Sequence, residues 1–179
     1  MQSAAEQFPE LQTQRLQLRS LTIADSEAIF ALRSNEEVNR FIGRKAAQTI
    51  ADAAQFIQDR LLDSSKKQGV YWAIELKSTG KLIGTICYWN INEDENSAEI
   101  GYELLPDMQG QGLMQEAITA VIAWGFIHMN LDVITAFPLG EHDKSVSLLE
   151  KNKFTYNEVN NGHLVYKLSR QTWQANQPA

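Results

Sequence analysis

Glu99 and Glu103 stand four residues apart in a largely apolar stretch that Pro106 ends, and three residues further on begins the loop Gln109-Gly110-Gln111-Gly112-Leu113-Met114. On a strand, that even spacing puts both carboxylates on one face, with Gly101 between them. A carboxylate so held can take the proton of an ammonium group, which has no lone pair to attack with until it is deprotonated. The loop can hold an anion. Where Gly-x-Gly runs into a helix, several first-turn N–H groups lack partners and the macrodipole adds roughly half a positive charge. Glycine lets the backbone approach an oxygen without a Cβ in the way, so a diphosphate fits. By itself the short motif also describes a plain turn. It is not a dinucleotide fingerprint, because position 115 is Gln where a further glycine belongs, and it is not a P-loop, because Gly-Lys-Ser/Thr is missing.

The elements that must position these residues follow from periodicity. Residues 15–20 alternate as a strand through Leu16 and Leu18. Thr22 with Asp25, and Thr49 with Asp52, are helix-start signals of the capping-box type. Behind them, Ile23, Ile29, Phe30 and Leu32, then Ala53, Phe56, Ile57 and Leu61, give two helices an apolar side, with a short helical piece over 36–41 between them. The period then changes. Residues 70–76 and 81–89 form a hairpin around Ser78-Thr79-Gly80, and 97–105 form the acidic strand. A helix over 112–129 points Ala117, Ile118, Val121 and Phe126 inward. A strand over 132–136, a helix over 143–152 and a hairpin of 154–159 with 164–168 around Asn160-Asn161-Gly162 complete the series. The polar stretch 171–179 is expected to be loose. The class is α/β: a mixed, mostly antiparallel sheet of about seven strands with helices on both faces and two βαβ-like crossovers.

Composition sets bounds. A chain of 179 residues with 44% hydrophobic and 21% charged residues reads as one core-forming domain over 1–179. Its net charge of −6 argues against a nucleic-acid partner. The first ten residues lack the basic and apolar regions of a signal peptide, and no apolar run suits a membrane span, so the cytoplasm is the expected setting. One cysteine, Cys87, allows no internal disulfide, and it reads as a buried structural thiol with no base beside it. The three histidines and this cysteine show no metal spacing, so no metal is expected.

The segments Ala98-Glu99-Ile100-Gly101-Tyr102-Glu103-Leu104-Leu105-Pro106, Gln109-Gly110-Gln111-Gly112 and Glu116-Ala117 together resemble the GNAT superfamily of acetyltransferases, in the branch that includes the ribosomal-protein alpha-N-acetyltransferases. The superfamily's loop pattern is Gln/Arg-x-x-Gly-x-Gly/Ala; Gln109 and Gly112 match it, and Met114 departs from its small last residue. Ser145, Leu149, Glu150, Lys151 and Phe154 match the family's Asn-x-x-Ser-…-Leu-Glu-Lys-x-Gly-Phe segment, with His142 at the usual Asn and Lys153 at the usual Gly. Arg15-Leu16-Gln17-Leu18-Arg19 and Gly84-Thr85-Ile86 are also similar to this branch, so the resemblance spans about 11–169.

That resemblance implies acetyl-CoA as cosubstrate and transfer of its acetyl group to a primary amine, a protein N-terminus or a small amine, by direct attack in a ternary complex. It implies a cofactor site at Gln109, Gly110, Gln111, Gly112, Leu113 and Met114, joined by Leu104 and Leu105 as oxyanion donors, and by His142, Ser145 and Leu148 along the pantetheine arm. Glu103 ranks narrowly ahead of Glu99 as the base, since a bulge in this strand would change which face each occupies. Ser145 is the candidate proton donor to the departing thiolate, with a helix cap as its alternative role. The acceptor pocket falls to 36–45 and 157–163, and the assembly to a monomer or homodimer. A non-catalytic acyl-CoA sensor is the alternative reading, kept open by His142 and Lys153.

Overall fold

The computed structural model describes residues 7–138 and 142–178; residues 1–6, read above as lacking a targeting segment, lie outside them. One eight-stranded sheet organises the chain, in the order β1-β2-β3-β4-β5-β6-β8-β7. The strands are β1 (Leu11–Gln12), β2 (Leu16–Ser20), β3 (Val70–Leu76), β4 (Lys81–Asn92), β5 (Ser97–Leu104), β6 (Val133–Ala136), β7 (Thr155–Asn160) and β8 (His163–Ser169). The helices are α1 (Ser26–Ser34), α2 (Glu36–Asn39), α3 (Ile50–Ser65), α4 (Leu113–Ile127), α5 (Asp143–Lys151) and α6 (Arg170–Ala175). All pairings are antiparallel except β5 with β6.

The start signals act as expected at α3: the Thr49 hydroxyl accepts from the Asp52 N–H at 3.1 Å, and the Asp52 carboxylate accepts from the Thr49 N–H at 2.9 Å. Two elements depart from the expectation. The two-residue β1 is too short for a period-2 pattern to show. The stretch from 171 is not loose throughout, because α6 covers Arg170–Ala175, capped by the Ser169 hydroxyl and held by Trp173, whose ring centroid lies 5.2 Å from that of Phe126. Two crossovers are present, but the second differs in kind. Through α5 the chain leaves β6 and returns as β7 at the sheet edge, and β8 fills the place between them.

Alternation divides the residues between two faces. Trp72, Ile86 and Tyr102 lie in register on one face, with α4 and α5 packed above them. The fully buried Trp72, Tyr88, Ile118, Val121 and Phe126 fill this larger core, and the Tyr88 hydroxyl donates to the Val121 carbonyl at 3.0 Å. On the other face Ala73, Thr85 and Glu103 are in register, below α1 and α3, where Leu21, Ile29, Ala53 and Ile57 make a smaller core. The β4–β5 pairing is regular from Gly84–Leu104 to Trp89–Glu99, so no bulge interrupts β5 there and both carboxylates keep one face.

The feature that matters for function is a fork. β6 pairs with β5 only over Ser97–Glu99, while β5 runs on to Leu104. Residues 100–104 therefore have no strand partner on that side among the described residues. The short β6 is the reason: it ends at Ala136, and Pro138 follows two residues later.

Candidate active site

At the wide end of the fork sits the loop. A turn of 3₁₀ helix at Pro106–Met108 leads from β5 into it, and Gly112 is the N-cap of α4 with φ +77°. Gly110 also has positive φ, +74°. An L-residue with a branched side chain would be strained in either position. The first helical bond runs from the Glu116 N–H to the Gly112 carbonyl at 3.1 Å. The N–H groups of Leu113, Met114 and Gln115 thus lie in the unpaired first turn. Among the described residues, no backbone carbonyl accepts from Gly110, Gln111 or Gly112. Leu113 is buried in the larger core and Met114 packs against it, which anchors the loop from below.

The loop is tied down on both flanks. Gln109 donates through its side chain to the Leu104 carbonyl at 3.0 Å and accepts from Lys144 of α5 at 3.3 Å. Arg15, just before β2, donates to the Gln111 carbonyl at 3.0 Å and pairs with Glu116 at 2.9 Å. Glu116 also accepts from the Arg15 N–H at 2.6 Å and from the Thr13 hydroxyl. Burial works to raise the Glu116 carboxyl, but these bonds outweigh it and hold it below its ordinary range. Arg15 and Glu116 both lie in segments quoted above, yet the bond between them is invisible until β2 and α4 are brought together.

The free edge of β5 supplies backbone groups. The Asn96 carbonyl accepts from Asp132, beside β6, whereas the Leu105 N–H donates to Ile83, beside β4, at 2.9 Å. Alternation therefore turns the N–H groups of Tyr102 and Leu104 toward the gap. Leu105, expected as a second oxyanion donor, has its N–H engaged on the opposite side.

The two carboxylates occupy different surroundings. Glu103 is buried, accepts from Thr85 at 3.2 Å, and meets two guanidinium groups: Arg44 Nη1 at 2.5 Å from Oε2, and Arg33 Nη1 at 3.9 Å from Oε1. Glu99 is half-buried at the point where the fork opens, between Trp89 of β4 and Thr135 of β6. Burial raises its carboxyl to about 7, with an opposing hydrogen bond from Asn90. Between them Gly101 leaves a low floor, where an added Cβ would come within 3.3 Å of the Cys87 sulfur. Burial and the nearby Glu103 charge push that thiol up to about 12, so it stays protonated and unreactive.

The opposite face of β5 carries Tyr102, whose hydroxyl lies 2.6 Å from that of Ser145. Burial pushes the Tyr102 phenol up to about 12, against a smaller opposing effect of the Ser145 bond. Ser145 is buried in the first turn of α5 and does not cap that helix; His142 stands at the N-cap and makes no capping bond. Instead the His142 ring stacks on Phe41 at 4.3 Å, so the chain after α2 reaches across to α5. Burial, reinforced by Lys144, lowers the imidazole's pKa, with Asp143 opposing. Leu148 packs at the edge of the larger core.

The Acetyltransferase (GNAT) domain family matches residues 15–155, and the chain belongs to that family. Its fold is that of an acetyltransferase, and acetyl transfer is the family's chemistry. Among curated proteins it is 39% identical over 147 residues to one named "Uncharacterized N-acetyltransferase YoaA" of Bacillus subtilis (strain 168), covering 82% of this chain and 83% of that protein. Among solved structures, it is similar to the ribosomal-protein-S5-alanine acetyltransferase of Vibrio fischeri, with TM-score 0.77, 22% identity, and 92% and 98% of the two chains covered. It is also similar to the spermidine N-acetyltransferase of Vibrio cholerae in complex with CoA and spermine, with TM-score 0.77, 20% identity, and 89% and 98% covered.

Proposed function

We propose that this acetyltransferase uses acetyl-CoA to acetylate a primary amine by direct attack in a ternary complex, with Glu99 as the base. The observation that carries the reading is the fork: a glycine-rich helix start at its mouth, a free strand edge along it, and a carboxyl with pKa near 7 where it opens. The diphosphate sits on the amides of residues 110–115. The peptide-like pantetheine arm pairs with the β5 edge, and His142 and Leu148 line its far side. The thioester carbonyl then accepts from the Tyr102 or Leu104 N–H as negative charge builds on its oxygen.

A raised carboxyl suits the proton transfer. A base with a pKa near the working pH is ionised often enough to act and basic enough to accept. Glu103 is the weaker candidate, since Arg44 occupies one of its oxygens and Thr85 the other. Glu99 takes a proton from the amine, and nitrogen attacks the acetyl carbon. The nitrogen's second proton passes to solvent, the carbon–sulfur bond breaks, and the thiolate takes a proton relayed through Ser145 and Tyr102, which regain it from solvent as Glu99 releases its own. Base and acid thus act from opposite faces of β5, Glu99 on one and Ser145 of α5, bonded to Tyr102, on the other.

The test is release of free thiol from acetyl-CoA with a panel of amines, alongside thermal stabilisation by CoA. Turnover with at least one amine, lost in Glu99→Gln while CoA still stabilises the fold, is the expected result. Full activity in Glu99→Gln overturns the assignment of the base. Absence of stabilisation by CoA overturns the cofactor site.

A further inference from the structure

Below α1 and α3, in the cluster around Glu103, the charges do not balance. Three guanidinium groups, Arg33, Arg44 and Arg60, meet two carboxylates, Glu103 and Asp63. Arg60 is taken by Asp63 at 2.9 Å, with Tyr71 as a further partner. That leaves Glu103 alone against Arg33 and Arg44. Arg44 is fixed from the other side by Asn39, which accepts from its Nε at 2.8 Å, but its Nη2 is buried with no hydrogen-bond partner among the described residues. The Arg33 guanidinium carbon lies over the Phe56 ring, 3.8 Å from its centroid, and its one ion pair among the described residues is the 3.9 Å contact to Glu103. Burial, with the neighbouring Arg44 charge, lowers the Arg33 pKa to about 10. The Arg33 side chain keeps 19% of its surface exposed, and its guanidinium donates no hydrogen bond among the described residues, so an anion can still reach it.

Arg33 also lines a hollow of about 240 Å³, shared with Phe56, Lys45 and Asp52. Lys45 and Asp52 offset one another in charge, so the surplus at this end of the acceptor face is one positive charge. We propose that the surplus receives an anionic group of the acceptor, so that the substrate is an amine carrying a carboxylate or phosphate at a distance. This deepens the reading above and rests on the amine being seated on this face. A guanidinium held over an aromatic ring can still turn N–H groups to an anion, and its fork matches two oxygens of one carboxylate or phosphate. Spacing sets the length of the molecule. Glu103 lies two residues from Gly101 and four from Glu99, or about 7 and about 13 Å along the strand. The amine and the anion of the acceptor are therefore separated by roughly that span, as in a short peptide with a free C-terminus. A polyamine offers nothing to Arg33.

Equilibrium binding to the CoA-saturated protein tests this without requiring turnover. Triglycine, its C-terminal amide, 6-aminohexyl phosphate and spermidine are titrated calorimetrically against wild type, Arg33→Gln and Arg33→Lys. Triglycine should bind at least tenfold more tightly than its amide. That ratio should fall towards one in Arg33→Gln and be partly restored in Arg33→Lys. Tighter binding of the aminohexyl phosphate, with the same dependence on Arg33, supports the site and identifies phosphate as its anion. Equal or tighter binding of the amide, or preference for spermidine over both anions, overturns the proposal in wild type alone, even if a variant fails to fold. Retention of the full ratio in a folded Arg33→Gln protein overturns it too. If no amine in any panel releases thiol, the proposed activity fails, whereas the acid-to-amide ratio still reports on the anion site; without CoA binding, the same titrations are run on the free protein.

Discussion

The loop at 109–114 and the arginine cluster around Glu103 can both meet negative charge, and they would do so by opposite means. The loop uses backbone N–H groups at a helix start, which need no particular side chain beyond the glycines that let the chain turn. The cluster uses side chains from α1 and the segment after α2, gathered on one carboxylate of β5. A backbone site costs little when empty, because water reaches the exposed Gly110–Gln111–Gly112 turn. A side-chain site under two helices is costly when empty, because among the described residues Arg44 Nη2, Arg60 Nε and Glu103 Oε2 are buried with no hydrogen-bond partner. The first suits a cosubstrate that is the same in every cycle. The second suits discrimination among acceptors, because a wrong partner leaves a buried charge uncompensated.

Glu99 lies on the same strand, four residues before Glu103, and its removal should have the largest effect. Glu99→Gln is expected to lower kcat by roughly a hundredfold or more, the usual contribution of a general base. CoA affinity should be unchanged by calorimetry. In wild type, kcat should rise with pH through about 7, because the carboxyl is pushed up to that value and must be ionised to act; the rise should vanish in the variant.

Glu103→Gln should act on the fold. It removes the carboxylate that Arg33 and Arg44 share, and breaking a buried ion pair of this kind costs about 3 kcal/mol. For a chain of this length that corresponds to a fall in Tm of roughly 6–12 °C. A large loss of kcat with unchanged Tm would instead make Glu103 the base and dissolve the contrast between the two carboxylates.

Gly112→Val should weaken CoA binding by tenfold or more. A branched residue at φ +77° costs about 1–3 kcal/mol, and its Cβ would crowd the diphosphate. The KM for the amine should move much less, which separates the donor site from the acceptor site. Arg15→Ala removes the bond to Gln111 and the pair with Glu116, worth about 1 kcal/mol together at this exposed position, so CoA affinity should fall several-fold.

The smallest effect concerns stability. Because the folded Glu99 carboxyl is raised from an ordinary 4.5 to about 7, the folded state holds the proton more tightly than the unfolded chain. Stability should therefore decline as pH rises from about 4.5 to about 7 and level off above it. Comparing urea midpoints of wild type and Glu99→Gln across this range should show that slope in wild type alone.

The loop, the strand before it and the helix after it are legible in the sequence because each is a local pattern. Gly110 and Gly112 mark the turn, Thr49 with Asp52 marks a helix start, and the alternation of β5 assigns its faces. The short β1 and the terminal α6 escaped because the first is too brief to show a period and the second is mostly polar. Arg44 lay inside the segment expected to shape the acceptor pocket, but Arg33 carried no mark at all. Its position on α1 is an ordinary one for a solvated side chain.

The amino-acid order by itself determined the elements, the even spacing of Glu99 and Glu103, and the anion-binding potential of residues 109–114, since these depend on neighbours a few residues away. Only the tertiary structure decided that the two carboxylates differ. Arg33 and Arg44 lie 70 and 59 residues before Glu103 in the chain, and they meet it because α1 and α2 fold over that face of the sheet. The fork was decided in the same way: β6 stops at Ala136, so β5 from Ile100 onward is left with a free edge. Ionisation and strand pairing depend on what lies nearby in space, and the spacing of residues along a chain does not contain that information.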